Sequence, residues 1–129
     1  MRNYSTNYQN TLITVSTDCP AAAAIPPTKE GTIAERQFAM LSATPYSMTS
    51  DGLLVAVESD RKGAVTADTF FAKPRACLRT SPLVKKHGYG LHHDADGHVA
   101  LVAVESAEYA RLMADPSVTK VPGMRSARA

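Results

Sequence analysis

The stretch HGYGLHHDADGHVALVAV, residues 87–104, decides the fold predicted for this chain of 129 residues. Its centre, DADG at 94–97, is a strong turn signal, and apolar residues that favour strands flank the turn. We therefore predict a β-hairpin whose strands cover residues 87–93 and 98–104. The second strand is strongly apolar, as a buried strand is.

The hexapeptide LVAVES occurs twice, at residues 54–59 and 101–106, each time shortly after an Asp-Gly pair. Apolar residues on both faces are typical of a central buried strand, so residues 53–57 are predicted to form a second inner strand of the same sheet. The duplication has two explanations: two related half-units, or two inner strands that converged on one sequence. We favour convergence because the flanking residues differ.

Other segments give weaker signals for strands and loops. Residues 12–15, LITV, predict a short first strand because branched side chains fit the pleated surface. Residues 19–31 hold three prolines and predict an irregular loop. The last dozen residues predict a short edge strand followed by a frayed basic end.

Helices are predicted where a capping side chain precedes an apolar pattern. Thr32 and Glu35 have capping-box spacing, and this helix is predicted to end before Pro45. Thr66 and Ser106 are the predicted caps of two further short helices. The elements together predict an α+β fold: a single domain over residues 1–129, with a mainly antiparallel sheet and two or three helices packed against it.

Composition limits the function. Hydrophobic residues make up 44% and charged residues 20%, as in ordinary globular proteins, and the net charge of +2 gives no long-range attraction for nucleic acid or membranes. The apolar runs are much shorter than the ~20 residues that cross a bilayer, and the polar first residues predict no export signal. With two cysteines expected as free thiols, we predict a cytoplasmic protein.

A basic segment carries the candidate site. Lys73, Arg75, Cys77 and Arg79 alternate, so in an extended segment all four side chains would share one face. Cations around a thiol make it reactive, and guanidinium groups hold carboxylates or phosphates. A third interpretation is a solvated edge strand with Cys77 turned into the core.

Polar residues further along extend this cluster, and Gly88 and Gly90 would let the backbone approach a ligand closely or would kink a strand. No complete nucleotide-binding motif or catalytic triad is present, so no catalytic residue is assigned. The candidate ligand-binding residues are Arg75, Cys77, Arg79, Ser81, Lys85 and His92.

All four histidines lie within residues 87–98. A four-residue connection would place His93 opposite His98, close enough to share a metal ion, whereas a two-residue connection would not. The alternative is a set of polar residues at a hairpin tip. We predict that the protein holds no metal and no cofactor.

Two functions of different class follow. The first is a small binding module for an anionic small molecule or an acidic partner group. The second is a small enzyme that uses Cys77 as a thiolate or a histidine-bound metal. Neither hypothesis includes a nucleic-acid or membrane partner.

Several strings spread over the chain resemble a bacterial family of small proteins, domain of unknown function 6157. They are NYQNT at 7–11 with its Tyr8, DCP at 18–20, PP at 26–27, PY at 45–46, SD at 50–51, CLRTSPL at 77–83, GYG at 88–90, HH at 92–93, VES at 104–106, EY at 108–109 and MRS at 124–126. The resemblance implies no particular substrate, cofactor or catalytic residue for this chain.

Overall fold

The computed structural model describes residues 5–126, which form a four-stranded sheet in the order β3-β2-β1-β4. The strands are β1 Thr11–Thr14, β2 Tyr89–His93, β3 Val99–Ala103 and β4 Thr119–Pro122. β2 pairs antiparallel with both β1 and β3, and β4 pairs parallel with β1. The predicted α+β fold with a mainly antiparallel sheet is confirmed, as are the hairpin, the first strand and the C-terminal edge strand.

Five helices surround the sheet in the described part of the chain, more than the two or three predicted. They are α1 Ile33–Ala43, α2 Ser50–Lys62, α3 Ala67–Phe70, α4 Pro82–Lys85 and α5 Ala107–Ala114, with a 3-10 turn at Leu78–Thr80. The predicted caps Thr32, Thr66 and Ser106 each accept a backbone N–H in the first turn of their helix. The prediction missed α4, where Ser81 caps and a proline occupies the first turn.

The helices divide between the two faces of the sheet. Ile13 and Leu91 belong to the larger core, which includes Leu41 of α1 and residues of α2 and α4. Leu12 and Val102, on the opposite face, pack with Leu112 of α5. The larger helical layer therefore lies on one side of the sheet and α5 on the other.

Residues 53–57 are the main error of the prediction, because they lie in α2 and not in a strand. Thr49 caps this helix by accepting the N–H of Gly52 at 3.1 Å, and Gly63 follows its last residue. Leu53 and Val57 are buried four residues apart, one turn of a helix, so a helix buries them on one face.

β3 holds the first half of the second hexapeptide copy and lies at the edge of the sheet, not at its centre. The loop before α2 covers this edge: the N–H of Tyr46 donates to Val99 O at 3.0 Å, and the N–H of Val99 donates to Met48 O at 2.9 Å. These bonds satisfy edge groups that would otherwise be open to another strand.

The Pro-rich segment 19–31 contains no helix or strand, as predicted. At the other end, Gly123 donates its N–H to Thr14 O at 2.9 Å, which ties the C-terminal segment to β1. The predicted frayed end, including Arg128, falls on residues 127–129, outside the described residues. Within residues 5–126 no helix has the length and apolar character needed to cross a bilayer.

Candidate functional site

Ile33, the first residue of α1, lines three neighbouring hollows on the helical side of the sheet. We call the combined surface the Ile33 depression and its parts the His87 lobe (about 540 Å³), the Arg75 lobe (about 290 Å³) and the Cys77 lobe (about 310 Å³). Ile33 is 41% exposed although it is a large apolar residue. The depression therefore has an apolar centre that is open to solvent.

Each lobe combines residues from several helices. The His87 lobe is lined by Pro27, Thr28, Lys29, Gly31, Thr32, Ile33, Ala34, Arg61, Pro82, Lys86 and His87. The Arg75 lobe is lined by Ile33, Gln37, Leu54, Val57, Glu58, Arg61, Lys62, Phe70 and Arg75. The Cys77 lobe is lined by Ile33, Gln37, Leu54, Ala76, Cys77, Leu78, Thr80, Ser81 and Pro82.

The lining of the depression has an excess of positive charge. Its acidic residue, Glu58, forms ion pairs with Arg61 at 3.2 Å and with Lys62 at 3.9 Å. The cationic residues of the three lobes are Lys29, Arg61, Lys62, Arg75 and Lys86. Such an excess in a concave surface attracts anions.

Arg75 is the cation whose position is best fixed. Its Nε donates to Phe70 O at 2.8 Å, and its guanidinium carbon lies 4.1 Å from the centroid of the Phe70 ring. Within residues 5–126 no carboxylate forms an ion pair with Arg75. The terminal N–H groups of an oriented guanidinium are therefore left for an anion.

Gln37 contributes a buried amide to the same surface. The residue is 3% exposed, lines both the Arg75 and the Cys77 lobes, and accepts the hydroxyl of Ser81 at 2.6 Å through Oε1. Ser81 in turn accepts the N–H of Leu83, which leaves its hydroxyl proton for Gln37. Nε2 of Gln37 has no hydrogen-bond partner among the described residues.

Cys77 lies half-buried in its lobe, with Sγ 3.5 Å from the hydroxyl of Tyr8. Burial, together with the contact to Cys77, raises the pKa of Tyr8 to about 12, against the opposing effect of Arg79. The phenol is therefore protonated at neutral pH and can donate to the sulfur. This contact places Cys77 beside a proton donor, not beside a general base.

The structure brings together three of the six predicted ligand-binding residues. Arg75, Cys77 and Ser81 line the Ile33 depression. Arg79 lines a separate hollow of about 550 Å³ with Thr17, Pro122, Gly123, Met124, Arg125 and Ser126. The proposed common face of alternating residues is wrong, because the turn at Leu78–Thr80 interrupts the extended backbone before Arg79.

Lys85 and His92 lie elsewhere. Lys85 ends α4, and its neighbour Lys86 is the one that lines the His87 lobe. His92 pairs in register with Leu12, on the face of the sheet that α5 covers. Its Nδ1 is 2.8 Å from the hydroxyl of Tyr46, and burial lowers the pKa of His92.

The hairpin does not pair His93 with His98. His93 lies opposite Val99, whereas His98 forms a bridge with Thr49, so the pairing that would let the two histidines share a metal ion is not formed. His93 is fully buried, and burial lowers its pKa to about 4. Its Nδ1 contacts Leu91 O at 3.1 Å, and Nε2 has no hydrogen-bond partner among the described residues.

A different set of groups at the hairpin tip has the donor types of a cation site. Ligand atoms of Asp94, Asp96 and His98 lie within 4.8 Å of one another. Oδ1 of Asp94, however, already accepts the N–H of Asp96 at 3.0 Å and the N–H of His98 at 2.9 Å. These bonds are those of a tight turn, and they explain the arrangement without an ion.

Gly90 serves packing, not ligand approach. A Cβ at this position would lie 2.7 Å from Cε2 of Tyr109 and 3.2 Å from Ile13 O. The missing side chain therefore makes room for the ring of Tyr109 on the α5 side of the sheet.

Sequence reasoning missed Ile33 and Gln37. Gln37 follows Ala34 by three residues and precedes Leu41 by four, so it lies on the buried face of α1 with both of them. A polar residue on an otherwise apolar helical face was the available signal, because such a group needs a partner.

The fold and this surface define a small α+β protein with a basic, apolar-centred depression on its helical side. The chain matches the model of a family of unknown function, DUF6157, over residues 3–129, and it belongs to that family. Comparison with curated proteins and with solved structures finds no match.

Proposed function

We propose that the protein is a binding module for a small anionic molecule, held in the Ile33 depression. The observation that carries this proposal is the state of Arg75: its guanidinium is oriented by Phe70 and has no carboxylate partner within residues 5–126. An oriented guanidinium loses little freedom when it binds a carboxylate or phosphate in two-point contact. Neighbouring cations in the Arg75 lobe add attraction.

The proposed setting is the cytoplasm of a bacterium. Both cysteines are free thiols, as is usual in a reducing compartment. The net charge of +2 favours a small anion or an acidic group over nucleic acid as the partner.

The test is a titration of acetate, heptanoate, phosphate and sulfate into the purified protein, followed by calorimetry and by amide chemical shifts. We expect at least one anion to bind, and Arg75→Gln to weaken that binding about tenfold or more through loss of a charge-assisted bond. Shifts should concentrate at Ile33 and around Arg75.

Arg79→Gln is the matched control. Arg79, like Arg75, donates through Nε to a backbone carbonyl, here Pro122 O at 2.7 Å, and it lines a different hollow. We expect this variant to bind within about twofold of the parent. Loss of binding in Arg79→Gln alone would move the site to the C-terminal hollow, and absence of binding by every anion would refute the proposed function.

A further inference from the structure

The Arg75 lobe joins a cation, an apolar wall and a buried amide donor in one hollow. Arg75 provides the cation, Ile33 and Leu54 provide apolar surface, and Gln37 provides the amide. A volume of about 290 Å³ is at the lower end for ligand pockets, which suits a molecule of metabolite size.

The amide of Gln37 is the feature that simple anion binding does not explain. Ser81 donates its hydroxyl to Oε1, so Nε2 is the end of the amide that is left for a ligand. Within residues 5–126 the fully enclosed side-chain atom that lacks a partner is Nε2 of His93. Nε2 of Gln37, which also lacks a partner, is therefore not fully enclosed. Because Gln37 lines the Arg75 lobe, its Nε2 is a donor suited to an acceptor on a ligand there.

We propose that the ligand is an amphipathic carboxylic acid that carries a carbonyl oxygen along its chain, as an N-acyl amino acid does. The carboxylate binds the guanidinium of Arg75, the chain lies on Ile33 and Leu54, and the carbonyl oxygen accepts from Nε2 of Gln37. This inference rests on the proposed anion-binding function and adds the chemical class of the ligand.

The experiment compares two acids of equal chain length, heptanoate and N-butyrylglycine, by calorimetric titration of the parent protein. Heptanoate is the more apolar acid, so burial of apolar surface alone predicts that it binds more tightly. If Gln37 finds an acceptor, its hydrogen bond contributes about fivefold in favour of N-butyrylglycine, which should outweigh the apolar advantage of heptanoate and make N-butyrylglycine the tighter ligand.

Gln37→Met removes the donor at nearly constant volume, and the preference for N-butyrylglycine should then disappear. Arg79→Gln is the control, because Arg79 lines a different hollow, and this variant should keep the preference. If Gln37→Met does not fold, the comparison of the two acids on the parent still decides.

The outcomes separate the inference from the proposed function. Binding of both acids through Arg75, with heptanoate equal or tighter, overturns the inference and leaves the proposed function standing. Failure of both acids, and of phosphate and sulfate, overturns both. A tetrapeptide that ends in glycine tests whether the acyl-amino-acid group belongs to a peptide or to a free small molecule. Binding as tight as that of N-butyrylglycine assigns the site to a peptide C-terminus. Weaker binding assigns it to a free small molecule.

Discussion

His93 makes the fold sensitive to mild acid, and His93→Asn should remove that sensitivity. The ring is fully buried, and burial lowers its pKa to about 4 in the folded protein, from about 6.5 in an unfolded chain. The unfolded state therefore binds the proton more tightly than the folded state. Stability contributed by the neutral ring is present above pH 6.5 and is lost as the pH falls from about 6.5 towards 4.

The linkage relation gives the size of this loss. With these two pKa values the parent loses about 2 kcal/mol at pH 5 and about 3 kcal/mol at pH 4, relative to neutral pH. Asparagine does not titrate, and its amide can replace Nδ1 of His93 as the donor to Leu91 O. The variant should be less stable in absolute terms and should lack this part of the pH dependence.

Urea unfolding followed by circular dichroism, at several pH values between 7.5 and 5, measures the difference. His87→Asn is the control, because Nδ1 of His87 also contacts a backbone carbonyl, Ile25 O at 3.1 Å, but at an accessible position. The free energy of unfolding of His87→Asn should fall with decreasing pH as steeply as that of the parent. His93→Phe, which keeps a ring beside Tyr8, serves if the asparagine variant does not fold. If both His93 variants lose stability with falling pH as steeply as the parent, this reasoning is wrong.

Three further predictions test packing, the N-terminal segment and the thiol. Gly90→Ala should cost about 1–3 kcal/mol in urea unfolding because its Cβ would lie 2.7 Å from the Tyr109 ring, and an unchanged midpoint would contradict this. Asp51 accepts hydrogen bonds from the N–H and hydroxyl of Thr6 and from the hydroxyl of Ser5. Asp51→Asn should therefore lower the free energy of unfolding by about 1.5–3 kcal/mol and speed hydrogen exchange at Thr6. Unchanged exchange would show that the contact contributes little. Cys77→Ser should leave anion binding within about twofold of the parent, whereas loss of a turnover reaction in this variant would favour the enzyme alternative.

The helix caps and the hairpin were predictable because their signals are local. Thr32 and Ser106 each bond to a residue three positions on, and the turn around Asp94 closes within a few residues. The site was predictable only in part, because it depends on contacts between distant segments. Ser81 meets Gln37 across 44 positions, and no spacing in the sequence records that contact.

Arg75, Cys77 and Ser81 were grouped for a reason that the structure does not support. Alternation on a strand was the argument, but Arg75 points to Phe70, and the residues after Cys77 form a turn. They share a depression because residues 75–82 line it together with residues of α1 and α2. Alternation requires a partner strand that keeps the backbone extended, and this segment has none among the described residues.

The hexapeptide LVAVES shows most directly what local sequence leaves open, since it is helical at 54–59 and lies in a strand and a turn at 101–106. Four consecutive apolar residues satisfy a helical period and a strand period equally, so the flanks decide. The first copy continues into Arg61 and Lys62, which pair with Glu58 and suit the last turn of a helix before Gly63. The second copy follows a tight turn that returns it to β2, and its serine becomes the cap of α5 instead of a residue in mid-helix. This difference also explains the site. Because the first copy is helical, Leu54 lies on the depression beside Ile33 and Gln37. If residues 54–59 formed a strand, Leu54 would belong to the sheet, and the Arg75 lobe would lose its apolar wall.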